Sequence, residues 1–346
     1  MWFHFFLSSA GVIVAGIYVG RISGAIGDRL KLGHAWAGAV LLSFATALPE
    51  LVSTITVASR GQVGMAIGNI LGSCVFNLFI LTLVDLIGGE SIYRRVSINH
   101  MATGLLGCAL IGLVIIGIGM GHGQVFGADG IGIGHVGTTS LLLLGFYGVG
   151  QVALLKLAKE SFSEETEPPS TVWYKMPIQR LFPIFGGFIA LIFVSAYNLG
   201  ISVEKIAAHY NLGATFAGVT LLGIITSLPE TTNAVVCARR REFDLAIGNI
   251  LGANAFDLTA LGIADFFYLR GRFFYEVGRV DAVSSIVMAA VALVMQAIVL
   301  GGLAIRSEHR IWRVGLIPLM LAALYVFSLV VSYQFSAPPL DSAQWK

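Results

Sequence analysis

The sequence predicts an all-α polytopic membrane protein with ten transmembrane helices, arranged as two inverted repeats of five helices. Of its 346 residues, 56% are hydrophobic and only 12% are charged, which is about half the charged share of a soluble domain. The apolar residues form ten runs that approach the length of about 20 residues needed to cross a bilayer. One stretch of the chain also recurs further on. These observations exclude a soluble globular protein and a disordered one.

The ten runs are separated by short polar segments and set the predicted helices in order. The first run follows an N-terminal segment without the positive charge of a signal peptide, so we expect it to be retained as a helix. The predicted spans are residues 3–20, 35–59, 64–87, 98–120, 138–157, 181–199, 214–238, 245–268, 282–303 and 312–331.

Lysine and arginine are distributed unequally between alternate loops. One side of the membrane receives 15 of them and the other receives 6. Because basic loops stay in the cytoplasm, both termini are predicted to be extracytoplasmic. The longest polar connection, residues 158–177, is then a cytoplasmic acidic linker between a first five-helix half, 1–157, and a second, inverted half, 178–346. No soluble regulatory domain fits in that linker.

An internal repeat relates the two halves. Residues 33–85 align without a gap with residues 213–265, and 22 of the 53 positions are identical. Five predicted spans separate the copies, so the second copy crosses the membrane in the opposite direction. Inverted repeats of this kind are typical of secondary transporters, whose ion sites lie near the bilayer midplane where the repeats meet.

Each copy carries an acidic residue in the middle of an apolar span, Glu50 in the first and Glu230 in the second. An acidic side chain at that depth costs about 2.5–3.5 kcal/mol on insertion scales and is functional by default. A proline precedes each one and removes a backbone donor, which frees a carbonyl oxygen. Such a carbonyl is tolerated in the membrane where it lines a cavity.

A threonine lies one helical turn before each acid, Thr46 before Glu50 and Thr226 before Glu230. Each copy therefore offers a carboxylate, a hydroxyl and freed carbonyls, which are the hard oxygen ligands that Ca²⁺ prefers. Two ionised glutamates would balance one Ca²⁺. The absence of His and Cys at these positions argues against Zn, Cu and Fe.

The following helix of each copy adds a second polar stripe. Asn69, Ser73 and Asn77 are spaced by four in the first copy, and Asn249, Ala253 and Asp257 occupy the matching positions. Glycines 68, 72, 248 and 252 would let these helices approach others closely. We expect Asn77 and Asp257 to face the site. Asp85 and Asp265 close the match, and both ion entry and structural pairing remain open for them.

The other reactive residue types indicate no further site. Cys74, Cys108 and Cys237 lie in apolar stretches and have neither disulfide nor metal spacing. His100, His122 and His135 are interpreted as solvated loop or edge residues. The net charge of +2 indicates no nucleic-acid surface. We therefore expect no cofactor, and as partners only inorganic cations and the lipid bilayer; the oligomeric state stays open.

These motifs resemble the sodium/calcium exchanger family of the calcium/cation antiporter superfamily. The resemblance rests on T-x-L-P-E at 46–50 and 226–230, and on G-N-x-x-G-x-x-x-F-N/D at 68–77 and 248–257. It implies alternating access, exchange of Ca²⁺ for a monovalent cation, most simply Na⁺, and no enzymatic reaction. With so short a linker, it implies a multi-pass protein of a bacterial or archaeal cell membrane.

The resemblance also implies the ligands. Glu50, Glu230, Thr46 and Thr226 would form the calcium site, completed by Asn77 and Asp257. One sodium position would use Thr46, Ser73, Glu230 and the Ser43 carbonyl; the other would use Glu50, Thr226, Ser227 and the Gly223 carbonyl.

The chain departs from the family pattern at three positions. Ala47 and Ala253 stand where serine is usual, so that each sodium position is expected to lose one hydroxyl, and Cys74 replaces an asparagine. Coupling to H⁺ through Glu50, Glu230 and Asp257 is therefore the alternative. A passive channel fits a tight carboxylate site poorly. An intramembrane enzyme would need a nucleophile with a base, and Thr46 and Ser73 have no His or Lys partner on these helices.

Overall fold

The structure, a computed structural model, describes residues 1–29, 43–89, 91–123, 131–161, 172–307, 309–311 and 314–335. These residues form an all-α polytopic membrane protein. Within the described ranges, eight helices are long and apolar enough to cross a membrane. A ninth candidate is a pair of helices bent by 46° at a short break. The predicted second span, 35–59, begins among residues outside the described ranges.

The first half of the chain contains four long helices and one broken helix. Helix α1 spans Trp2–Arg29, the broken helix consists of α2, Ser43–Thr46, and α3, Leu48–Ser59, and α4 spans Val63–Gly88. The short α5 is followed by α6, by a two-stranded hairpin and by α7. Helix α5 spans Ile92–Arg95 and α6 spans His100–His122. The hairpin consists of β1, Gly132–Ile133, and β2, Val136–Gly137, and α7 spans Thr138–Ser161.

The second half repeats this order after the short α8, Val172–Lys175. Helix α9 matches α1, and a second broken helix matches α2 and α3. The bounds are α9 Ile178–Tyr210, α10 Ala214–Ala217, a π-helix Gly218–Leu222, α11 Gly223–Thr226, α12 Leu228–Arg240, α13 Phe243–Phe267, α14 Phe273–Val280, α15 Ala282–Ile305, β3 Arg310–Ile311, β4 Val314–Gly315 and α16 Leu316–Phe335.

The first, sixth and tenth predicted spans differ in extent from the observed helices. The first, 3–20, lies inside α1, which continues to Arg29. The sixth, 181–199, lies inside the 33-residue helix α9, because the polar residues that flank the apolar run continue the same helix. The tenth, 312–331, begins too early: α16 starts at Leu316. The apolar residues just before it pair as a hairpin instead, with Ile311 opposite Val314.

Helices α4 and α13 lie at the centre, and most of their residues are buried. Each packs against the last two long helices of the other half: α4 against α15 and α16, and α13 against α6 and α7. Helix α1 packs along α9. The two halves therefore interlock rather than form separate bodies, and the middle of α4 faces the middle of α13.

Asp265, near the end of α13, holds the start of α7 in place. Its Oδ2 accepts hydrogen bonds from the Gly137 backbone N–H at 2.8 Å and from the Ser140 hydroxyl at 2.6 Å. Its Oδ1 accepts one from the Phe273 N–H at 3.1 Å, at the start of α14. The buried carboxylate thus receives donors at the starts of two helices, where backbone N–H groups lack helical partners.

Asp85, near the end of α4, likewise accepts hydrogen bonds from backbone N–H groups at the starts of two other helices. Its Oδ2 accepts from the Gly315 N–H at 2.9 Å, just before α16, and its Oδ1 accepts from the Ile92 N–H at 3.4 Å. Of the two interpretations left open by the sequence, the structure supports structural pairing for Asp85 and Asp265. Each one fastens a helix of the opposite half to the central pair.

Candidate cation site

The two broken helices place the acidic residues of the repeat. The first breaks at Ala47, where the last bond before the break joins the Ala47 N–H to the Ser43 carbonyl at 3.0 Å. The second breaks at Ser227, where the equivalent bond to Gly223 is 3.3 Å. Glu50 and Glu230 consequently lie in the first turn of the helix that follows, where the helix dipole stabilises negative charge.

Close backbone packing brings the second broken helix against α4. A Cβ on Gly72 would lie 2.6 Å from the Cα of Val219, and a Cβ on Gly68 would lie 2.3 Å from the carbonyl oxygen of Thr215. From the other side, a Cβ on Gly223 would lie 2.9 Å from the Ser73 amide nitrogen. The spacing of these glycines therefore allows close contact between α4 and the second broken helix. This contact places Ser73 next to Gly223.

The π-helix Gly218–Leu222 precedes this break. Turns of this type are rare and occur often at functional sites, because they shift the backbone hydrogen bonds by one residue. Here the π-helix packs against α4. It widens the backbone directly before Gly223, whose carbonyl oxygen faces Ser73.

Three carboxyl groups meet where α3, α12 and α13 approach one another. Glu50, Glu230 and Asp257 are each at most 1% exposed. They are close enough for Glu50 and Asp257 both to act electrostatically on Glu230, and for Glu50 to act on Asp257. The side chains of the two repeats interact crosswise: Thr226 lies beside Glu50, and Thr46 lies beside Glu230. We call Glu50, Glu230, Asp257, Asn77, Thr46, Thr226, Ser227 and Ser73 the central cluster.

Most of the acidic oxygens in the central cluster have no hydrogen-bond donor. The Ser227 hydroxyl donates to Oε1 of Glu50 at 3.1 Å. Six other buried oxygens lack a partner among the described residues: Oε2 of Glu50, both carboxyl oxygens of Glu230, both of Asp257 and Oδ1 of Asn77. Buried polar atoms are nearly always hydrogen bonded, so six acceptors without donors indicate a site for a positively charged ligand.

The structure groups the smaller ligands differently from the sequence expectation. Ser73 was expected beside the Ser43 carbonyl, but its hydroxyl donates to the carbonyl oxygen of Gly223 at 3.3 Å. The physical reason is the glycine contact between α4 and the second broken helix. Ser73 therefore belongs with Glu50, Thr226, Ser227 and Gly223.

This regrouping places both alanines with the same glutamate. We call the ligands grouped with Glu50 the Glu50 side of the site, and those grouped with Glu230 the Glu230 side. By the repeat, Ala253 matches Ser73 and Ala47 matches Ser227. Ser227 and Ser73 serve the Glu50 side, so Ala47 and Ala253 take the matching places on the Glu230 side. From the sequence, each side was expected to lose one hydroxyl; the contact between Ser73 and Gly223 favours a grouping in which the Glu50 side keeps both hydroxyls and the Glu230 side lacks both.

Ser43 contacts the other half of the molecule through its side chain. Its hydroxyl donates to the carbonyl oxygen of Asn249 at 3.3 Å and lies 3.4 Å from the Asn249 amide oxygen. Asn249 matches Asn69 in the repeat, and Asn69 donates to the hydroxyls of Ser53 at 3.0 Å and Thr54 at 2.8 Å. Asn69 also lies 3.4 Å from the Thr226 hydroxyl. These two asparagines brace the broken helices next to the central cluster.

Asn254 is a functional candidate that the repeat does not reveal. It contacts Asn77, yet its matching residue is Cys74, so comparison of the two copies gives no signal for it. His100 was expected to be solvated, but it lies 3.1 Å from Asp244. His135 is exposed, as expected, and its Nε2 lies 3.1 Å from the Phe266 carbonyl oxygen.

No group of three His, Cys, Asp or Glu side chains in the described ranges is placed to hold a metal ion by itself. The candidate ligands of the central cluster are therefore a mixture of carboxylate, hydroxyl, amide and carbonyl oxygens. Neutral oxygens combined with two or three carboxylates suit a hard cation that is bound and released.

A family model described as sodium/calcium exchanger protein matches residues 1–155 and 180–334. The chain belongs to the sodium/calcium exchanger family. The resemblance seen in the motifs is thus confirmed, and the protein is an integral, multi-pass membrane protein of a Ca²⁺/cation antiporter family. The matched family and the structural neighbours are exchangers, that is, transporters.

Two relatives and one solved structure illustrate the similarity of this exchanger-family protein. CaxA of Alkalimonas amylolytica is 26% identical over 237 residues, covering 68% of this chain and 70% of the relative. The Ca²⁺/H⁺ antiporter ChaA of Bacillus subtilis strain 168 is 24% identical over 255 residues, covering 70% of this chain and 69% of the relative.

The solved structure is that of the sodium-calcium exchanger NCX_Mj. It superposes with a TM-score of 0.59 at 21% identity, over 94% of this chain and 97% of that one. At this identity the similarity establishes the fold alone.

Proposed function

We propose that this protein exchanges Ca²⁺ for a monovalent cation, chiefly Na⁺, by alternating access at the central cluster. The observation that carries the proposal is the set of six buried oxygens without hydrogen-bond donors. Leaving a buried acceptor unsatisfied costs about 1–3 kcal/mol, and more for a charged group. A divalent cation that contacts several of these oxygens at once would remove that cost.

The arrangement of the chain supports a carrier. We infer ten membrane spans, in a first half 1–157 and an inverted half 178–346, joined by the cytoplasmic linker 158–177. Loops that are predicted to share a side of the membrane contact each other. Arg60 pairs with Glu204 on the predicted outer side, and Ser91 donates to the Ser307 carbonyl on the predicted cytoplasmic side. A site built from both inverted halves can be presented to either side by a movement of one against the other.

In this proposal the calcium ligands are Glu50, Glu230, Thr46 and Thr226, with Asn77 and Asp257 completing the site. A monovalent cation would bind on the Glu50 side through Ser73, Thr226, Ser227 and the Gly223 carbonyl. The Glu230 side offers Thr46 and the Ser43 carbonyl but lacks the two hydroxyls. The two monovalent positions are consequently unequal, and the Glu50 side binds Na⁺ more tightly.

Proton coupling is the second candidate, and the geometry around Glu230 favours it. Both oxygens of Glu230 lack a donor within hydrogen-bond distance among the described residues, so a proton could take the place of the missing Na⁺ ligands. One relative, ChaA, is named as a Ca²⁺/H⁺ antiporter. Under this alternative, Ca²⁺ transport follows an imposed pH gradient in the absence of Na⁺.

Replacement of either central glutamate tests the proposal. We expect Glu50→Gln and Glu230→Gln each to abolish Ca²⁺ uptake into proteoliposomes, because the site needs two carboxylates to balance a divalent charge. Glu204→Gln is the matched control, since Glu204 pairs with Arg60 at the edge of the molecule, and it should transport normally. Near-normal uptake by a folded Glu50→Gln or Glu230→Gln protein would refute the proposed site.

A further inference from the structure

Two buried asparagines form a short hydrogen-bond relay beside the central cluster. Asn254 of α13 donates from Nδ2 to the backbone carbonyl oxygen of Cys74 at 3.2 Å. Its Oδ1 accepts from Nδ2 of Asn77 at 3.0 Å. Asn77 and Asn254 are both at most 1% exposed, so water does not compete for these bonds.

The backbone carbonyl determines the direction of the relay. A carbonyl oxygen only accepts, so Asn254 must turn its NH₂ group toward Cys74. Its amide oxygen then faces Asn77, and only the NH₂ group of Asn77 can donate to it. The amide oxygen of Asn77 is left at the opposite end of the group, where it has no partner among the described residues. A reversed Asn77 would present an NH₂ group there and repel a cation.

We propose that Asn254 is a positioning residue that holds the amide oxygen of Asn77 toward the transported divalent cation. This inference rests on the proposed function, in which Asn77 is a ligand. In this proposal Asn254 acts without being a ligand, since its Oδ1 faces Asn77 and its NH₂ group faces the Cys74 carbonyl oxygen. Its effect on binding is therefore indirect and acts through the orientation of one amide.

In this chain only one copy of the repeat has this residue. The position that matches Asn77 is Asp257, and the position that matches Asn254 is Cys74. A carboxylate carries oxygen at both ends and needs no orienting partner, whereas an amide does. The Cys74 thiol lies 4.0 Å from the Asn254 carbonyl oxygen and leaves Asp257 without an amide donor. Asparagine thus occurs at 254, where it orients an amide, and cysteine at 74.

A double-mutant cycle on the full protein tests the proposal. The variants are Asn254→Leu, Asn77→Asp and their combination, and the readout is the Ca²⁺ concentration that gives half-maximal uptake into proteoliposomes. Loss of a residue that orients a metal ligand typically weakens affinity roughly 10–100-fold, so we expect Asn254→Leu to raise the half-maximal concentration by about that factor. In the Asn77→Asp background the same substitution should have little effect, because the carboxylate needs no orientation.

Controls separate this role from a structural one. Asn198→Leu removes an exposed asparagine whose NH₂ group donates to the Val194 carbonyl at 2.7 Å, and it should leave Ca²⁺ affinity unchanged. If Asn254→Leu does not fold, Asn254→Ser replaces it, because serine is too short to bridge Asn77 and Cys74. Rescue by Asn77→Asp supports the proposal, since mere loss of packing would persist in that background.

The results that would overturn the inference differ from those that would refute the proposed function. Wild-type affinity in folded Asn254→Leu, or a loss of equal size with and without Asn77→Asp, would show that Asn254 does not orient Asn77. Absence of Ca²⁺ transport by the wild-type protein would instead refute the function on which the inference rests.

Discussion

At the scale of single residues, the site is asymmetric because the two copies of the repeat differ at several of its positions. Glu50 receives a hydrogen bond from Ser227, whereas the matching position in the other copy is Ala47, which has no hydroxyl to donate. The two glutamates and two threonines could be predicted from the sequence, since they recur in both copies. The location of both alanines on the Glu230 side could not, because it depends on which helix of one half packs against the other.

Restoration of the two hydroxyls should therefore act on one monovalent position. We expect the double variant Ala47→Ser and Ala253→Ser to raise the apparent Na⁺ affinity of Ca²⁺ exchange, because each new oxygen supplies a ligand where a Na⁺ ion has only a few. Ca²⁺ affinity should change little, since the two glutamates and two threonines are untouched. The measurement is Ca²⁺ flux against Na⁺ concentration.

Ala255→Ser is the matched control for these variants, because it adds the same hydroxyl to a buried position of α13 that is outside the central cluster. It should leave Na⁺ dependence unchanged. If the wild-type protein already saturates at low Na⁺ and the serines at 47 and 253 add nothing, the assignment of these alanines to a weakened position is wrong.

At the scale of helices, glycine decides how closely α4 approaches the second broken helix. Gly72 lies against Val219 with no space for a Cβ, whereas no atom of the described residues lies within 4 Å of a Cβ on Gly112 of α6. Periodicity indicated the helices, and the spacing of the glycines indicated a close contact. The π-helix and the short hairpins were not predictable, because they arise from packing between elements far apart in sequence.

A pair of glycine substitutions tests this contact. Gly72→Ala should lower the melting temperature in detergent and reduce Ca²⁺ flux, because the new Cβ would lie 2.6 Å from the Cα of Val219 and push the broken helix away from Ser73. Gly112→Ala should be neutral or stabilising by up to about 1 kcal/mol, the difference in helix propensity. Equal melting temperatures and fluxes for the two variants would contradict the close contact.

At the scale of the whole molecule, the halves are locked together by a pair of equivalent carboxylates. Asp85 binds the Gly315 N–H of the second half, and Asp265 binds the Gly137 N–H of the first. The sequence matched these aspartates but could not choose between ion entry and structural pairing, because the glycines they contact are about 130 to 230 residues away. Each hairpin precedes a final helix in its half, which extends the repeat beyond residues 33–85 and 213–265.

The 15 to 6 split of Lys and Arg between alternate loops predicts which loops face the cytoplasm. We expect a cysteine at Ser163, in the linker, to be protected from an impermeant thiol reagent added to intact cells. A cysteine at Asn211, an exposed residue after α9, should be labelled from outside. Both cysteines are introduced into the Cys108→Ala variant, because Cys108 is partly exposed, whereas Cys74 and Cys237 are buried. The reverse labelling pattern would show that the predicted orientation is wrong.

The central claim is that one buried site, shared by both halves, exchanges Ca²⁺ for another cation. Uptake of radioactive Ca²⁺ into proteoliposomes of the wild-type protein, with gradients of Na⁺, K⁺ or H⁺ imposed in turn, tests it most directly. We predict uptake driven by an outward Na⁺ gradient and abolished when that gradient is dissipated. Ca²⁺ uptake that proceeds at the same rate without any cation gradient on the other side would indicate a channel and contradict the claim.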